Sequence, residues 1–169
     1  MLKSTFICAL VCLLAAACTP STGSSGKSVA AAIQEVQDRD IRFPEYPQSG
    51  RTYLSFSHAH GFQVNYIAQA SKAWLWYPGN GRSLPETYKL DRVSGQAAIC
   101  WQHPNNSYNP VTGQNGGSFA CEPLAFASKA VVSELSGDVF DLASGQVPYR
   151  LDRCKAPDQF DFDRVKFGC

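Results

Sequence analysis

The chain has 169 residues, of which 44% are hydrophobic and 17% are charged, a length and composition typical of one folded domain. Its 15 basic and 14 acidic residues give a formal net charge of +1, and no run of lysine or arginine is longer than a pair. This balance argues against a nucleic-acid partner and against a polybasic membrane patch, because both need several cations on one face.

An N-terminal secretory signal is the first predicted element. Lys3 supplies a positive start, and residues 6–17 form an apolar stretch that is shorter than the roughly 20 residues needed to cross a membrane. A polar tract rich in serine and glycine follows. We therefore predict a signal peptide over residues 1–17, a tether over residues 18–28 and a single β-rich domain over residues 29–169.

The residues around the predicted cleavage site resemble the lipobox of bacterial lipoproteins, which usually reads Leu, two small residues and then Cys. Here three alanines, residues 15–17, precede Cys18, and Leu14 stands one place earlier than in the family pattern. The resemblance implies that Cys18 takes a diacylglyceryl group, becomes the first residue of the mature chain and anchors it to the membrane. It also implies sorting to the outer membrane, because Thr19 rather than Asp follows the cysteine. The alternative is an unanchored secreted protein that is cleaved near Cys18.

One short helix and a series of β-strands are predicted for the rest of the chain. Ser28 is a good N-cap. Val29, Ile33 and Val36 then recur at helical spacing, and the pattern ends near Asp40. Segments bounded by Gly, Pro and Asn predict strands over residues 52–57, 62–68, 72–77, 87–92, 97–102, 118–127 (interrupted near position 123) and 129–135, with a short element at 138–142. No helix of crossover length separates them, so we predict an all-β fold, an antiparallel meander closed or nearly closed into a small barrel.

The cysteine count supports both a lipid anchor and two disulfides. The chain has seven cysteines, and cleavage before Cys18 leaves five, of which four can pair if Cys18 carries lipid. Four cysteines allow three connectivities. We predict Cys100–Cys121 and Cys154–Cys169 because each pair is local in sequence, and the first pair lies on consecutive predicted strands.

Three histidines are candidates for a metal site. His58 and His60 would face the same way on a strand, and His103 would be a third ligand for a metal such as zinc. The competing interpretation is a turn that carries two exposed histidines, because Gly61 follows at once.

The acidic stretch near the C-terminus is a candidate calcium site. Asp158, Asp161 and Asp163 supply oxygen ligands, but the glycine of an EF-hand loop is absent. Phe160 and Phe162 alternate with these acids, which favours a strand with one buried and one solvated face. We therefore predict no metal and no cofactor for this protein.

The tryptophans allow two interpretations. Trp74 and Trp76 lie on one face of a predicted strand, and Trp101 lies on a later strand. Exposed rings would form a platform on which sugar rings stack. Buried rings would fill the core of a small barrel, which is the more common use of tryptophan.

The loop over residues 103–117 is the most unusual stretch. Loops of this length without secondary structure are uncommon and often functional. Several turn-forming pairs predict a compact loop, in which Tyr108 and Asn109 are the candidate binding residues. The alternative is an ordered cover over one end of the barrel, with Tyr108 packed inward.

These features predict a lipid-anchored protein of the bacterial envelope that binds an envelope protein or the cell wall and is not an enzyme. No G-x-S-x-G motif is present. The stretches LWYPGN and ICWQHPNNSYNPVTG resemble small secreted all-β domains of unknown function. Two alternatives remain open. One is an inhibitor similar in architecture to the lipid-anchored lysozyme inhibitors, and the other is an envelope hydrolase with a metal on His58, His60 and His103.

Overall fold

The computed structural model describes residues 28–169, so the predicted signal peptide, Cys18 and most of the tether lie outside the described residues. The first described element is helix α1, Val29–Gln37. Its N-cap is Ser28, whose side-chain oxygen accepts a hydrogen bond from the Ala31 backbone N–H at 3.2 Å. The predicted short helix is therefore confirmed.

The body of the described chain is an antiparallel β-sheet of seven strands. The strands are β1 Arg51–Ser57, β2 Gly61–Ile67, β3 Lys72–Trp76, β4 Leu84–Val93, β5 Gln96–Gln102, β6 Tyr108–Asn109, β7 Gln114–Asn115, β8 Ala120–Pro123 and β9 Val131–Ser136, with helix α2 at Leu124–Ala130. The order across the sheet is β8-β5-β4-β3-β2-β1-β9, and β6 pairs only with β7. The predicted all-β fold class is confirmed.

The sheet is curled into a half-barrel. β8 and β9 lie at opposite edges of the sheet, yet only helix α2 separates them in the sequence. Seven helical residues span about 10 Å. In a flat sheet with strands about 4.8 Å apart, the two outer strands would be about 29 Å apart. The two edges must therefore bend towards each other.

Each face of the sheet has its own hydrophobic core. The first core joins the sheet to the segment after β9, and it contains Leu54, Phe56, Phe62, Val64, Trp76, Phe140, Leu142, Leu151, Phe160 and Phe167. The second core joins the other face to α2 and to the segment before β1, and it contains Tyr46, Tyr53, Ile67, Ala73, Ile99, Ala127 and Val131. Because side chains alternate between faces along a strand, neighbouring residues such as Tyr53 and Leu54 belong to different cores.

Both predicted disulfides are confirmed. Cys100 and Cys121 lie directly opposite each other on β5 and β8, with an S–S distance of 2.04 Å. This bond ties the edge strand β8 to its neighbour. The second disulfide, Cys154–Cys169, closes the C-terminal segment that covers the first core.

One predicted strand is wrong in its second half, and another is wrong altogether. The strand expected over residues 118–127, with a break near Pro123, is present as β8 up to that proline, but helix α2 replaces the part beyond it. Proline has no N–H for the sheet ladder, and the next residues, LAFASKA, are mostly good helix formers. The Phe/Asp alternation near the C-terminus forms turns, in which Asp163 Oδ1 accepts hydrogen bonds from two following backbone N–H groups at 3.0 Å each. Phe160 is nevertheless buried, because this segment packs on the first core.

Candidate functional site

The loop over residues 103–117 folds into a small hairpin, which we call the 103–117 hairpin. Strands β6 and β7 form its antiparallel stem. At its base, the Gly117 backbone N–H donates to the His103 carbonyl at 3.0 Å. The Cys100–Cys121 disulfide joins the two sheet strands that the hairpin connects. The hairpin is therefore compact and fixed at its base.

The candidate binding residues Tyr108 and Asn109 lie on this hairpin. Asn109 Oδ1 accepts a hydrogen bond from the Val111 backbone N–H at 2.9 Å, which stabilises the turn after β6. Tyr108 has 59% of its surface exposed. All of residues 103–117 are described, and none of them is buried. The interpretation of this loop as a cover with Tyr108 packed inward is therefore wrong.

An open groove of about 460 Å³ lies at the foot of this hairpin. It runs over the neighbouring strands β3, β4 and β5 where β3 begins and β5 ends. Its lining consists of Lys72, Ala73, Trp74, Pro85, Glu86, Thr87, Gln102, His103, Pro104 and Asn105. The groove and the hairpin thus share the segment that starts at His103.

A carboxylate–imidazole pair lies in the wall of this groove. Glu86 Oε1 is 2.9 Å from His103 Nδ1, and Glu86 Oε2 accepts a hydrogen bond from Asn65 Nδ2 at 2.9 Å. The Glu86 side chain is 2% exposed and that of His103 is 31% exposed. The hydrogen bond to Glu86 raises the pKa of His103, because the carboxylate favours the imidazolium form. The Glu86 carboxylate therefore orients the imidazole ring and favours its protonated form.

A second inward-facing carboxylate lies on the edge strand β8. Burial raises the pKa of Glu122 to about 6, although a hydrogen bond from Trp101 lowers it. Glu122 and Glu86 also add to the effect of burial on Tyr46, whose pKa is raised well above its usual value. Neither glutamate was predicted to be a functional residue from the sequence. Each occupies a strand position at which the side chain points to the second core.

The three histidines do not form a metal site. His58 and His60 lie in the β1–β2 turn, whereas His103 follows β5 at the opposite end of the sheet, level with the β2–β3 turn. Among the residues that the structure describes, no group of three or more His, Cys, Asp or Glu side chains is placed to hold a metal ion. The zinc hypothesis, the metal-dependent hydrolase that depends on it, and the calcium hypothesis for Asp158, Asp161 and Asp163 are therefore wrong.

The three tryptophans differ in burial, so the buried-core interpretation does not hold equally for all of them. Trp76 is fully buried in the first core. Trp101 is partly buried and packs against Tyr88, with ring centroids 5.6 Å apart. Trp74 is partly buried as well, stacks on Tyr66 with ring centroids 6.0 Å apart and lines the groove. Trp74 is therefore covered in part by Tyr66 and by the first core.

No protein-family model matches this chain, and neither a curated protein nor a solved structure does. Within residues 28–169, no helix is both long and apolar enough to span a membrane. The chemistry of the site therefore rests on its own residues. An exposed tyrosine on a fixed hairpin, together with an open polar groove, suits non-covalent binding.

Proposed function

We propose that this chain is a lipid-anchored protein of the bacterial envelope that binds an extracytoplasmic partner without catalysing a reaction. The exposure of Tyr108 on the 103–117 hairpin is the observation that carries the proposal. We place the protein at the outer membrane, on its periplasmic face or at the cell surface, from the lipobox-like sequence and Thr19.

The disulfide pattern supports the lipid anchor. The four cysteines of the body pair with one another, as Cys100–Cys121 and Cys154–Cys169. In a chain cleaved before Cys18, that cysteine is then the one left over. An unpaired thiol is unusual in an oxidising compartment, whereas lipidation consumes it.

The geometry of the 103–117 hairpin supports docking to a protein partner. Tyrosine is enriched among the residues that dominate binding energy, because it buries a large rigid surface and keeps a hydroxyl for hydrogen bonding. A hairpin fixed at its base loses little conformational entropy when a partner binds. Tyr108 therefore has the properties of an anchor residue for an interface.

The docking hypothesis is tested by capture from envelope extract with the mature domain. We expect a partner at stoichiometric amounts with the wild type, and a loss of at least tenfold in captured amount with Tyr108→Ala, since truncating a tyrosine anchor typically costs 2 kcal/mol or more. Leu90→Ala is the matched control, because Leu90 is 56% exposed but lies farther along β4. Equal capture by the three proteins would contradict the hypothesis.

The anchor is tested separately in native cells. The wild type is expected in the membrane fraction, and Cys18→Ser is expected in the soluble fraction because it lacks the acylated thiol. Mass spectrometry of the natural N-terminus should show lipid on Cys18. An unmodified terminus, or a membrane-bound serine variant, would contradict the anchor.

A second candidate function is inhibition of a lysozyme. It is favoured by one observation, the hairpin whose exposed residues include Tyr108 and several amides. We expect such an inhibitor to insert this hairpin into the substrate cleft and to lose inhibition in Tyr108→Ala. If the purified domain leaves several types of lysozyme fully active on cell walls, this candidate is excluded.

A further inference from the structure

We infer that the apolar face of helix α1, formed by Val29 and Ile33, lies against the lipid bilayer to which the chain is anchored. This contact depends on the proposed lipid anchor at Cys18 and deepens that proposal, because it adds a contact between the folded domain and the membrane. It gives the domain one orientation at the membrane surface.

The apolar stripe of α1 is wider than the surface that the core covers. Ala32 and Val36 are fully buried, so their side of the helix packs on the domain. Val29 and Ile33 lie one turn apart on the helix and are 51% and 42% exposed. A surface helix usually turns its apolar stripe to the core. In α1, the part of the stripe that carries these two residues is left uncovered.

The acidic side chains near α1 lie on a different side of the helix. Glu35 is the one charged residue within α1, and its carboxylate pairs with Arg39 at 2.7 Å. This ion pair lines an open groove together with Asp38 and Asp40, and the lining of that groove includes neither residue of the apolar face. Contact between the apolar face and lipid therefore leaves these charges in water, which avoids the cost of desolvating them.

A cation lies beside the last turn of the helix. Lys129 Nζ, on α2, donates a hydrogen bond to the Gln37 carbonyl at 2.6 Å. Gln37 is exposed and lies one turn after Ile33, so its side chain continues the line of the apolar face. A positive charge next to this line suits the phosphate groups of a bilayer surface.

The position of the lipid on the chain brings α1 to the membrane. Ser28, the N-cap of α1, stands ten residues after Cys18. Ten residues span at most about 36 Å, even when fully extended. Since a lipidated Cys18 lies at the bilayer surface, the start of α1 stays within that distance of the bilayer. The contact is then an intramolecular event, for which a small apolar surface is sufficient.

The size of the apolar face argues against a protein as its occupant. A stable protein–protein interface buries about 800 Å² on each partner. Two aliphatic side chains that are half-exposed offer only a small part of that area. A helix that its tether holds beside a bilayer needs no such area. The bilayer is therefore the occupant that this face suits.

The contact is tested by spin-label EPR on the lipidated protein in vesicles of phosphatidylethanolamine and phosphatidylglycerol. A nitroxide is attached at Gln37→Cys, beside the apolar face, or at Ala31→Cys, which is also exposed but lines the groove with the acidic residues. Collisions of the label with oxygen, which dissolves in lipid, and with a nickel chelate, which stays in water, are measured. We expect an oxygen-to-nickel collision ratio at least about threefold higher at position 37 than at position 31.

Glutamine variants test whether the two apolar side chains make the contact. Val29→Gln combined with Ile33→Gln places good helix formers on exposed positions and should lower the ratio at position 37 to within about 1.5-fold of the ratio at position 31. Leu90→Gln is the matched control, because Leu90 is an apolar residue of β4 that is 56% exposed, and it should leave the ratio unchanged. If the double variant fails to fold, the comparison of positions 37 and 31 in the otherwise wild-type protein decides the question.

The results that would overturn the membrane contact differ from those that would overturn the anchor. Lipid on Cys18, with both labels equally accessible to the nickel chelate, overturns only the contact. A label at position 37 that is shielded from oxygen and nickel alike also overturns it, because protein then covers the face. An unchanged ratio in the double glutamine variant does the same. An unmodified Cys18 overturns the anchor and the contact together, whereas docking at Tyr108 is measured independently of both.

Discussion

Glu122→Gln should make the protein more stable at neutral pH. The folded protein buries the Glu122 carboxyl group on the inner side of the edge strand β8, and this burial raises its pKa from 4.5 to about 6. Glutamine has nearly the same shape, carries no charge and keeps an oxygen that accepts the hydrogen bond from Trp101. The substitution therefore removes the cost of holding a charge in a poorly solvated place.

The expected gain in stability follows from the size and sign of the pKa shift of Glu122. Because the folded pKa is raised, the folded state binds the proton more tightly than the unfolded state. The stabilisation that the protonated Glu122 carboxyl group gives the wild-type protein is complete below about pH 4.5 and is lost as the pH rises through about 6. The shift corresponds to about 2 kcal/mol, and partial exposure of Glu122 reduces this to about 1–2 kcal/mol. For a domain of this size, the expected gain in Tm at pH 7 is about 2–8 °C.

Thermal unfolding followed by circular dichroism between pH 4 and pH 8 measures this effect. The Tm difference between Glu122→Gln and the wild type should be near zero at pH 4 and should grow to its full value above pH 6. His103 titrates in both proteins, so its contribution cancels in the difference. Glu45→Gln is the control, because Glu45 is exposed. A Tm difference that does not change with pH would refute the reasoning.

Three further predictions concern the groove and the fold. In NMR titrations, Glu86→Gln should lower the pKa of His103, since it removes the carboxylate that favours the imidazolium; an unchanged pKa would contradict the pairing. Replacing Cys100 and Cys121 together with serine should lower the unfolding free energy in urea by about 3 kcal/mol, and a change below about 1 kcal/mol would contradict the role of this bond. Gly61→Ala should destabilise the protein by more than about 1 kcal/mol, because the glycine has φ +76° and an added Cβ would collide with the C-terminal segment; wild-type urea stability would contradict this contact.

The sheet was predictable because its strands are short and bounded by turn residues. The pairs Cys100–Cys121 and Cys154–Cys169 also followed from local sequence alone, and the structure confirms them. The C-terminal segment was harder to interpret. Its Phe/Asp alternation imitates a strand, yet Phe160 is buried by turns that the sequence pattern does not distinguish from a strand.

The Glu86–His103 pair depends on the register between β4 and β5. Ser94 and Gly95 form a two-residue turn in which both have positive φ, so Val93 pairs with Gln96. Counting back along β4 and forward along β5 from this turn brings Glu86 opposite His103. The Ser94-Gly95 turn that sets this register could therefore be identified from the sequence. The buried environment of the pair depends on the curl of the whole sheet, which no local pattern reveals.

Site-specific photo-crosslinking in native cells tests the docking of the 103–117 hairpin to an envelope partner most directly. A photoreactive amino acid is placed at Tyr108 or, as a control, at Leu90 in the full-length chain, and the membrane fraction is irradiated and examined by mass spectrometry. The account predicts one defined adduct from position 108 and none from position 90. No adduct at position 108, or the same adduct from both positions, would contradict it.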